Sequence, residues 1–187
     1  MKKLILIIIV AMQSCMMPPT GQNALSLELE SVEHEGEGYH GGTAYQDSLI
    51  MIRWEYSTTS LGFTLQNRSN KTIKVLWEEA SFIDEKGQSN RIMHNGVKYI
   101  DRSQSQPAST VMRGATLTDE IVPVNKAVFV SGQYGGWVTR PIFETNAWSA
   151  TETAKMYDAI RGKKVAVLLP IVSEGRTREF IFNFVIK

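Results

Sequence analysis

Apolar and polar residues alternate along most of the chain after residue 24, which is the pattern of half-buried β-strands. The first such run places Leu25, Leu27 and Leu29 on one face, with serine and glutamate between them. Further runs of this kind, which we predict to be strands, are residues 48–56, 61–66, 72–77, 79–84, 89–94, 97–101, 110–113, 116–122, 127–130, 164–172 and 177–186.

Short polar segments predict how neighbouring strands connect. The segment NRSN (67–70) predicts a hairpin between the strands on either side of it, and Asn95-Gly96 predicts another. The segment SEGR (173–176) predicts a third hairpin, whose second strand is apolar on both faces and should therefore be central in a sheet. The triplets that begin at Asn67 and Asn70 match the acceptor sequence for N-glycosylation, but turn formation accounts for them more simply.

One helix is predicted near 151–161, because Ser149 or Thr151 can cap its start and Gly162 suits its end. Many short strands with turns every few residues and a single helix are typical of an all-β domain. We therefore expect a mainly β fold, an antiparallel β-sandwich of immunoglobulin-like topology without a disulfide. A partly closed barrel is the alternative.

The first fifteen residues have the layout of a secretory signal. Lys2 and Lys3 precede the apolar run LILIIIVA (4–11), which is too short to serve as a stable membrane-spanning anchor. The run leads through Met12-Gln13-Ser14 to Cys15, which is the only cysteine of the chain.

These features resemble the signal sequences of bacterial lipoproteins, in which lipid is attached to the cysteine thiol and cleavage leaves that cysteine as the first residue. The resemblance covers residues 1–15 and implies lipidation of Cys15, which would anchor the protein to a membrane. It implies a signal peptide at 1–14 and a lipidated tether at 15–24, followed by a single β-sandwich domain at 25–187. Met16 stands where an aspartate would favour inner-membrane retention, which implies the outer membrane. The absence of an acidic cluster after Cys15 implies the periplasmic face.

The charge balance excludes one class of partner. The chain carries 20 basic and 19 acidic side chains, and removal of residues 1–14 would change the net charge from +1 to −1. A nucleic-acid-binding protein needs a clustered basic face, so we expect no nucleic acid partner. With Cys15 lipidated, no internal disulfide is possible, and apolar burial must stabilise the domain.

The sequence carries no recognisable catalytic motif. It lacks a Gly-x-Ser-x-Gly elbow, an HExxH helix and a glycine-rich phosphate loop, so we expect no catalytic residues, no cofactor and no enzyme activity. The weak metal candidates are His34 and His40 with Glu35 and Glu37, but their spacing matches no metal motif. We interpret the glycine-rich segment 34–42 as a solvated, mobile loop and expect no metal site.

Four aromatic residues in the irregular segment 131–148 are candidate ligand-binding residues. Tyr134, Trp137, Phe143 and Trp148 would stack on a sugar ring or anchor a partner protein. The simpler alternative is that they pack over the open end of the domain, against Trp54 or Trp77.

The sequence thus predicts a non-enzymatic module that interacts with another envelope protein or helps an envelope assembly. An unpaired sheet edge is one way to bind a partner strand. The alternative function is glycan or small-ligand binding through the aromatic segment 134–148.

Overall fold

The computed structural model describes residues 25–34, 37–42, 44–145 and 148–187, with only the backbone described at 37–41. The strands are β1 (Leu27–His34), β2 (Glu37–Gly42), β3 (Ala44–Gln46), β4 (Ile50–Tyr56), β5 (Leu61–Asn67), β6 (Ile73–Val75), β7 (Ser81–Ile83), β8 (Ser89–His94), β9 (Ser109–Val111), β10 (Thr116–Pro123), β11 (Ala127–Val130), β12 (Gly136–Thr139), β13 (Lys164–Ser173) and β14 (Arg176–Ile186). One α-helix, α1 (Ala150–Ile160), and two short 3-10 helices, Tyr99–Asp101 and Val124–Lys126, complete the described elements. No helix in these ranges is long and apolar enough to cross a membrane.

Twelve of the strands form one continuous antiparallel sheet that nearly closes on itself. Its order is β2-β1-β14-β13-β7-β8-β10-β5-β4-β3, with β6 and β9 branching from β13. The two ends of this order, β2 and β3, are separated in the chain by residue 43 alone. Residues 37–46 therefore contact β1 through β2 and β4 through β3, and this shared segment brings the two ends of the sheet together.

The side chains that alternate inward from this sheet make one core. β14 contributes four of them, Phe180, Phe182, Phe184 and Ile186, all 1% exposed or less. The ring of Phe182 meets Trp54 at 5.1 Å and Tyr45 at 6.1 Å, so strands from opposite walls of the sheet pack against each other. Burial of large apolar side chains is the main stabilising term in such a domain.

Several predicted elements are confirmed. β13 and β14 form the long terminal hairpin around Glu174 and Gly175, both with positive φ, and β14 lies between β13 and β1. The helix runs one residue earlier than predicted. Ser149 caps it by accepting a hydrogen bond from the Glu152 N–H at 3.2 Å, and Gly162 follows it with φ +78°.

The hairpin predicted around residues 67–70 is wrong. β5 pairs with β4 and β10, whereas β6 pairs with β13 and β9, so the chain changes partners at this corner. The cause is the side chain of Asn67, which is fully buried. Its Nδ2 donates to the carbonyls of Lys71 at 2.7 Å and Val111 at 3.0 Å, and its Oδ1 accepts from the N–H and the hydroxyl of Ser69.

Two further predictions of local structure are wrong. Asn95 and Gly96 form a turn, but the following residues enter a 3-10 helix. β8 pairs instead with β7 through residues 89–91 and with β10 through residues 92–94, and the Gln106 side chain bonds the backbone of Ile92 and His94. The glycine-rich segment after His34 is not a loop throughout, since β2 pairs with β1 from His34↔Glu37 to Leu29↔Gly42.

The mainly antiparallel β class with one helix is confirmed. The continuous strand order through β8 gives a nearly closed, barrel-like sheet, which does not by itself establish an immunoglobulin-like sandwich.

Candidate functional site: an exposed apolar hairpin

The hairpin of β11 and β12 is a two-stranded sheet that is separate from the main sheet. Its register runs from Ala127↔Thr139 to Val130↔Gly136, and residues 131–135 form its loop. Directly opposed residues of an antiparallel pair share a face, so Phe129 and Trp137 point to one side and Val128 and Val138 to the other. An isolated two-stranded hairpin is only marginally stable in water, so a surface that packs against it would stabilise it.

Large apolar side chains are exposed on both faces of this hairpin and beside it. We define the hairpin patch as Ile100, Phe129, Val130, Tyr134, Trp137 and Val138. The exposed fractions are 70% for Ile100, 60% for Phe129, 44% for Val130, 95% for Tyr134 and 43% for Val138, while Trp137 is half-buried. Contiguous exposed apolar surface of this kind marks interaction sites in soluble domains.

The base of the hairpin patch is ordered by specific contacts. The Trp137 ring lies 5.6 Å from Phe129 and 6.3 Å from Tyr99, and the Arg102 guanidinium stacks over it at 4.4 Å. The Tyr99 hydroxyl lies 2.7 Å from Thr139 Oγ1, which ties β12 to the 3-10 helix. Between that helix and Trp137 lies a shallow, mostly apolar groove of about 480 Å³.

The charges around the hairpin patch are mainly positive. Lys98 and Arg140 are exposed and Arg102 is half-buried. The nearby acids are Asp101 and Glu120, and Glu120 lines a groove with Tyr99 and Thr139. In the described part of the chain, none of the three cations forms a salt bridge. A partner that covers the patch would therefore meet unpaired positive charge at its margin.

The structure distributes the four predicted aromatic residues over three environments. Tyr134 and Trp137 lie on the hairpin, at its loop and on β12 respectively. Trp148 is fully exposed just before the helix cap Ser149. Phe143 is only 2% exposed and belongs to the core, where its ring lies 5.9 Å from Tyr56.

The pKa of the Tyr56 hydroxyl is raised to about 12, first because the group is buried and second because the Tyr157 phenol of α1 is near. The loop that holds Phe143 and the helix α1 thus cover the same end of the sheet. Phe143 contributes to this covering layer and faces away from solvent.

Sequence reasoning missed Ile100, Phe129, Val130 and Val138. The apolar run 127–130 was a signal for a strand, but it has the same pattern whether the strand is covered or exposed. Strand β12 was missed because glycines at 132, 135 and 136 favour irregular structure.

Of the weak metal candidates, His34 alone has a described side chain. His34 is buried, stacks on Phe180 with ring centroids 4.0 Å apart, and places Nδ1 3.3 Å from the Glu179 carbonyl oxygen. Glu35 and the side chains of Glu37 and His40 lie outside the described residues. Among the side chains that are described, no three His, Cys, Asp or Glu residues come together to hold a metal ion.

A largely buried histidine–aspartate pair, His94 and Asp119, was not predicted from the sequence. His94 Nδ1 lies 3.2 Å from Asp119 Oδ2, and the His94 ring stacks on Trp77 with centroids 4.4 Å apart. Asp119 also accepts hydrogen bonds from the N–H groups of Asn95 at 2.9 Å and Glu120 at 2.7 Å. The pair therefore fastens the turn after β8 to β10, which accounts for both residues in structural terms.

Comparison of this chain with protein-family models, curated proteins and solved structures finds no significant match.

Proposed function

We propose that this protein is a lipid-anchored, non-enzymatic interaction module of a bacterial envelope, and that the hairpin patch binds a partner protein. The observation that carries the proposal is the exposure of large apolar side chains on both faces of β11–β12. A partner that buries these side chains would gain a favourable free energy of about 25 cal/mol for each Å² of apolar surface removed from water. A cluster of this size therefore favours a surface that is covered in the assembled state.

The anchor in this proposal is lipid on Cys15, placed on the outer membrane and facing the periplasm. Its support is the arrangement of residues 1–15, and it remains a prediction from the sequence. A tether of residues 15–24 would extend to about 36 Å at most. The domain would thus stay close to the membrane while its hairpin remains free to meet another envelope protein. The immunoglobulin-like topology is likewise a prediction, supported by the antiparallel strands and the shared core.

Glycan binding is the second candidate, because Tyr134 and Trp148 are almost fully exposed aromatic side chains. Aromatic rings that face solvent stack on sugar rings. A glycan array tests this candidate. Retention that is lost in a Tyr134→Ala and Trp148→Ala double variant supports it, and the absence of any retained glycan contradicts it.

The main proposal is tested by cross-linking in cells followed by isolation of the protein from membranes. The test variant carries Phe129→Ser and Val138→Ser, and the matched control is Met112→Ser, which changes another large apolar side chain, 67% exposed, outside the hairpin patch. We expect wild type and the control to retain a discrete cross-linked species that the test variant loses. If all three proteins give the same species, the hairpin patch is not the partner-binding surface.

The anchor is tested by the mass of the mature protein. We expect a lipid-modified Cys15 as its first residue. An unmodified Cys15 in membrane-fractionated protein would contradict the anchor without affecting the cross-linking test.

A further inference from the structure

We propose that the partner contributes an extended, apolar segment with acidic flanks, which adds to the β11–β12 hairpin as a third strand along β12. This inference rests on the proposed function, because it specifies the chemistry of the partner at the same hairpin patch. It differs in that it requires backbone pairing with the partner in addition to apolar contact.

The backbone of the hairpin leaves pairing groups free at its edges. The Arg140 N–H donates to the Lys126 carbonyl at 2.8 Å, so residues 126 and 140 are a hydrogen-bonded pair. Hydrogen-bonded and non-bonded pairs alternate in an antiparallel ladder, which makes Phe129↔Trp137 a non-bonded pair. The N–H and C=O groups of both residues therefore point outward, and no backbone group elsewhere in the described chain meets them.

A strand added along β12 would find a place for its side chains as well. Side chains of successive strand residues point to opposite faces. One face of the added strand would cover the groove formed by Tyr99, Ile100 and Trp137, while the other would lie beside Val138. Strand addition is a known mode of peptide recognition in which main-chain bonds supply affinity and such pockets supply specificity.

The free backbone groups also distinguish a protein partner from a lipid bilayer. Inserting an open sheet edge into hydrocarbon leaves N–H and C=O groups without hydrogen-bond partners, which is strongly unfavourable. A peptide strand satisfies these groups, whereas lipid tails do not. The hairpin patch is therefore better suited to an extended peptide than to membrane insertion.

The charges around the patch specify the flanks of the peptide. Lys98, Arg102 and Arg140 form no salt bridge within the described residues, and they outnumber the two nearby acids, Asp101 and Glu120. Acidic side chains at the margins of the added strand would pair with these cations. A second copy of this chain would instead bring the same cations together, which disfavours a dimer formed through two hairpins.

The proposal is tested with three synthetic peptides of about seven residues, close to the usual length of a strand. One has a central run of valines with glutamates at both ends, one has the same run with lysines at both ends, and one is the acidic peptide with proline at its centre. Binding to the full-length protein is measured by calorimetry. We expect the acidic peptide to bind, and the basic and proline-containing peptides to bind about tenfold more weakly or not at all.

Variants of the protein test the same contacts. Trp137→Ala should abolish binding of the acidic peptide, and Lys98→Glu with Arg140→Glu should weaken it about tenfold. Met112→Ser should have no effect. Equal binding of the acidic and proline-containing peptides, binding to phosphatidylglycerol vesicles that is lost in Trp137→Ala, or a dimer lost in Trp137→Ala would each overturn strand addition.

The two proposals fail in distinguishable ways. If hairpin-dependent cross-linking in cells persists but no peptide binds, a partner contacts the hairpin patch without adding a strand. If cross-linking is independent of the hairpin, the proposed function itself is wrong.

Discussion

The corner at Asn67 provides the sharpest test of how this fold is held together. The Asn67 side chain is fully buried and makes four hydrogen bonds, two as donor and two as acceptor. One of these joins it to the Val111 carbonyl, 44 residues along the chain. The backbone of Asn67 adds bonds with Ala115 and Gly114, so the β5–β6 corner and the β9–β10 connection depend on this one residue.

The cost of Asn67→Ala follows from these bonds. A typical hydrogen bond contributes about 0.5–1.5 kcal/mol net, and a buried group left without a partner costs about 1–3 kcal/mol. The bond to Val111 is buried, whereas the groups of Ser69 and Lys71 are near enough to solvent to regain water partners. We therefore expect a loss of about 2–4 kcal/mol in the free energy of unfolding.

The assay is equilibrium urea unfolding followed by tryptophan fluorescence. Asn70→Ala is the matched control, because Asn70 is exposed in the same turn and should change stability by less than about 0.5 kcal/mol. Asn67→Asp is a second variant of nearly the same shape. Its carboxylate is unable to donate to the two carbonyl oxygens and should destabilise the protein at neutral pH at least as much as alanine.

Equal stability of the Asn67→Ala and Asn70→Ala proteins would refute this account of the corner. A stable Asn67→Asp protein at neutral pH would do the same, because it would show that the two donor bonds of Nδ2 contribute little.

Three other predictions concern the core, the helix and the covered end of the sheet. Phe182→Ala should lower the free energy of unfolding in urea by about 3–5 kcal/mol, because it removes a fully buried ring from the strand that lies between β1 and β13. A loss no larger than that of an exposed-site variant would contradict this packing. Ser149→Ala should destabilise α1 by about 1 kcal/mol, because it removes the hydrogen bond that caps the helix. Amide hydrogen exchange should become faster in α1 alone, and unchanged exchange would contradict the cap. Absorbance titration should find a tyrosine with a pKa of about 12 whose signal disappears in Tyr56→Phe. Because this folded-state pKa lies above the unfolded value of about 10, the contribution of Tyr56 to stability is complete below pH 10 and is lost as the pH rises through 12. A flat stability profile over that range would contradict its burial.

Local pattern predicts the elements of this fold better than their partners. The terminal hairpin was predictable because alternation in β13 and β14 and the turn at Glu174-Gly175 all lie within one short segment. The partners of β5 and β6 were not, because they depend on a hydrogen bond from Asn67 to a residue far along the chain. The polar turn at 67–70 has the composition of a hairpin whichever strands it connects.

The candidate site shows the same limit. The aromatic content of 131–148 pointed to the region that includes Tyr134 and Trp137, but Phe143 in that region is core. Whether an apolar residue is exposed depends on which other element covers it, and the apolar run 127–130 does not show whether its strand is covered. His94 beside the Asn95-Gly96 turn had the sequence context of an exposed residue, yet it stacks on Trp77 and pairs with Asp119.

Site-specific photo-cross-linking in living cells tests the central claim, partner binding at the hairpin patch, most directly. A photoreactive phenylalanine analogue replaces Phe129 in one protein and Met112 in another, since both side chains are large, apolar and exposed. We predict one discrete adduct with another envelope protein from position 129 and none from position 112. No adduct from position 129, or the same adducts from both positions, would contradict the claim.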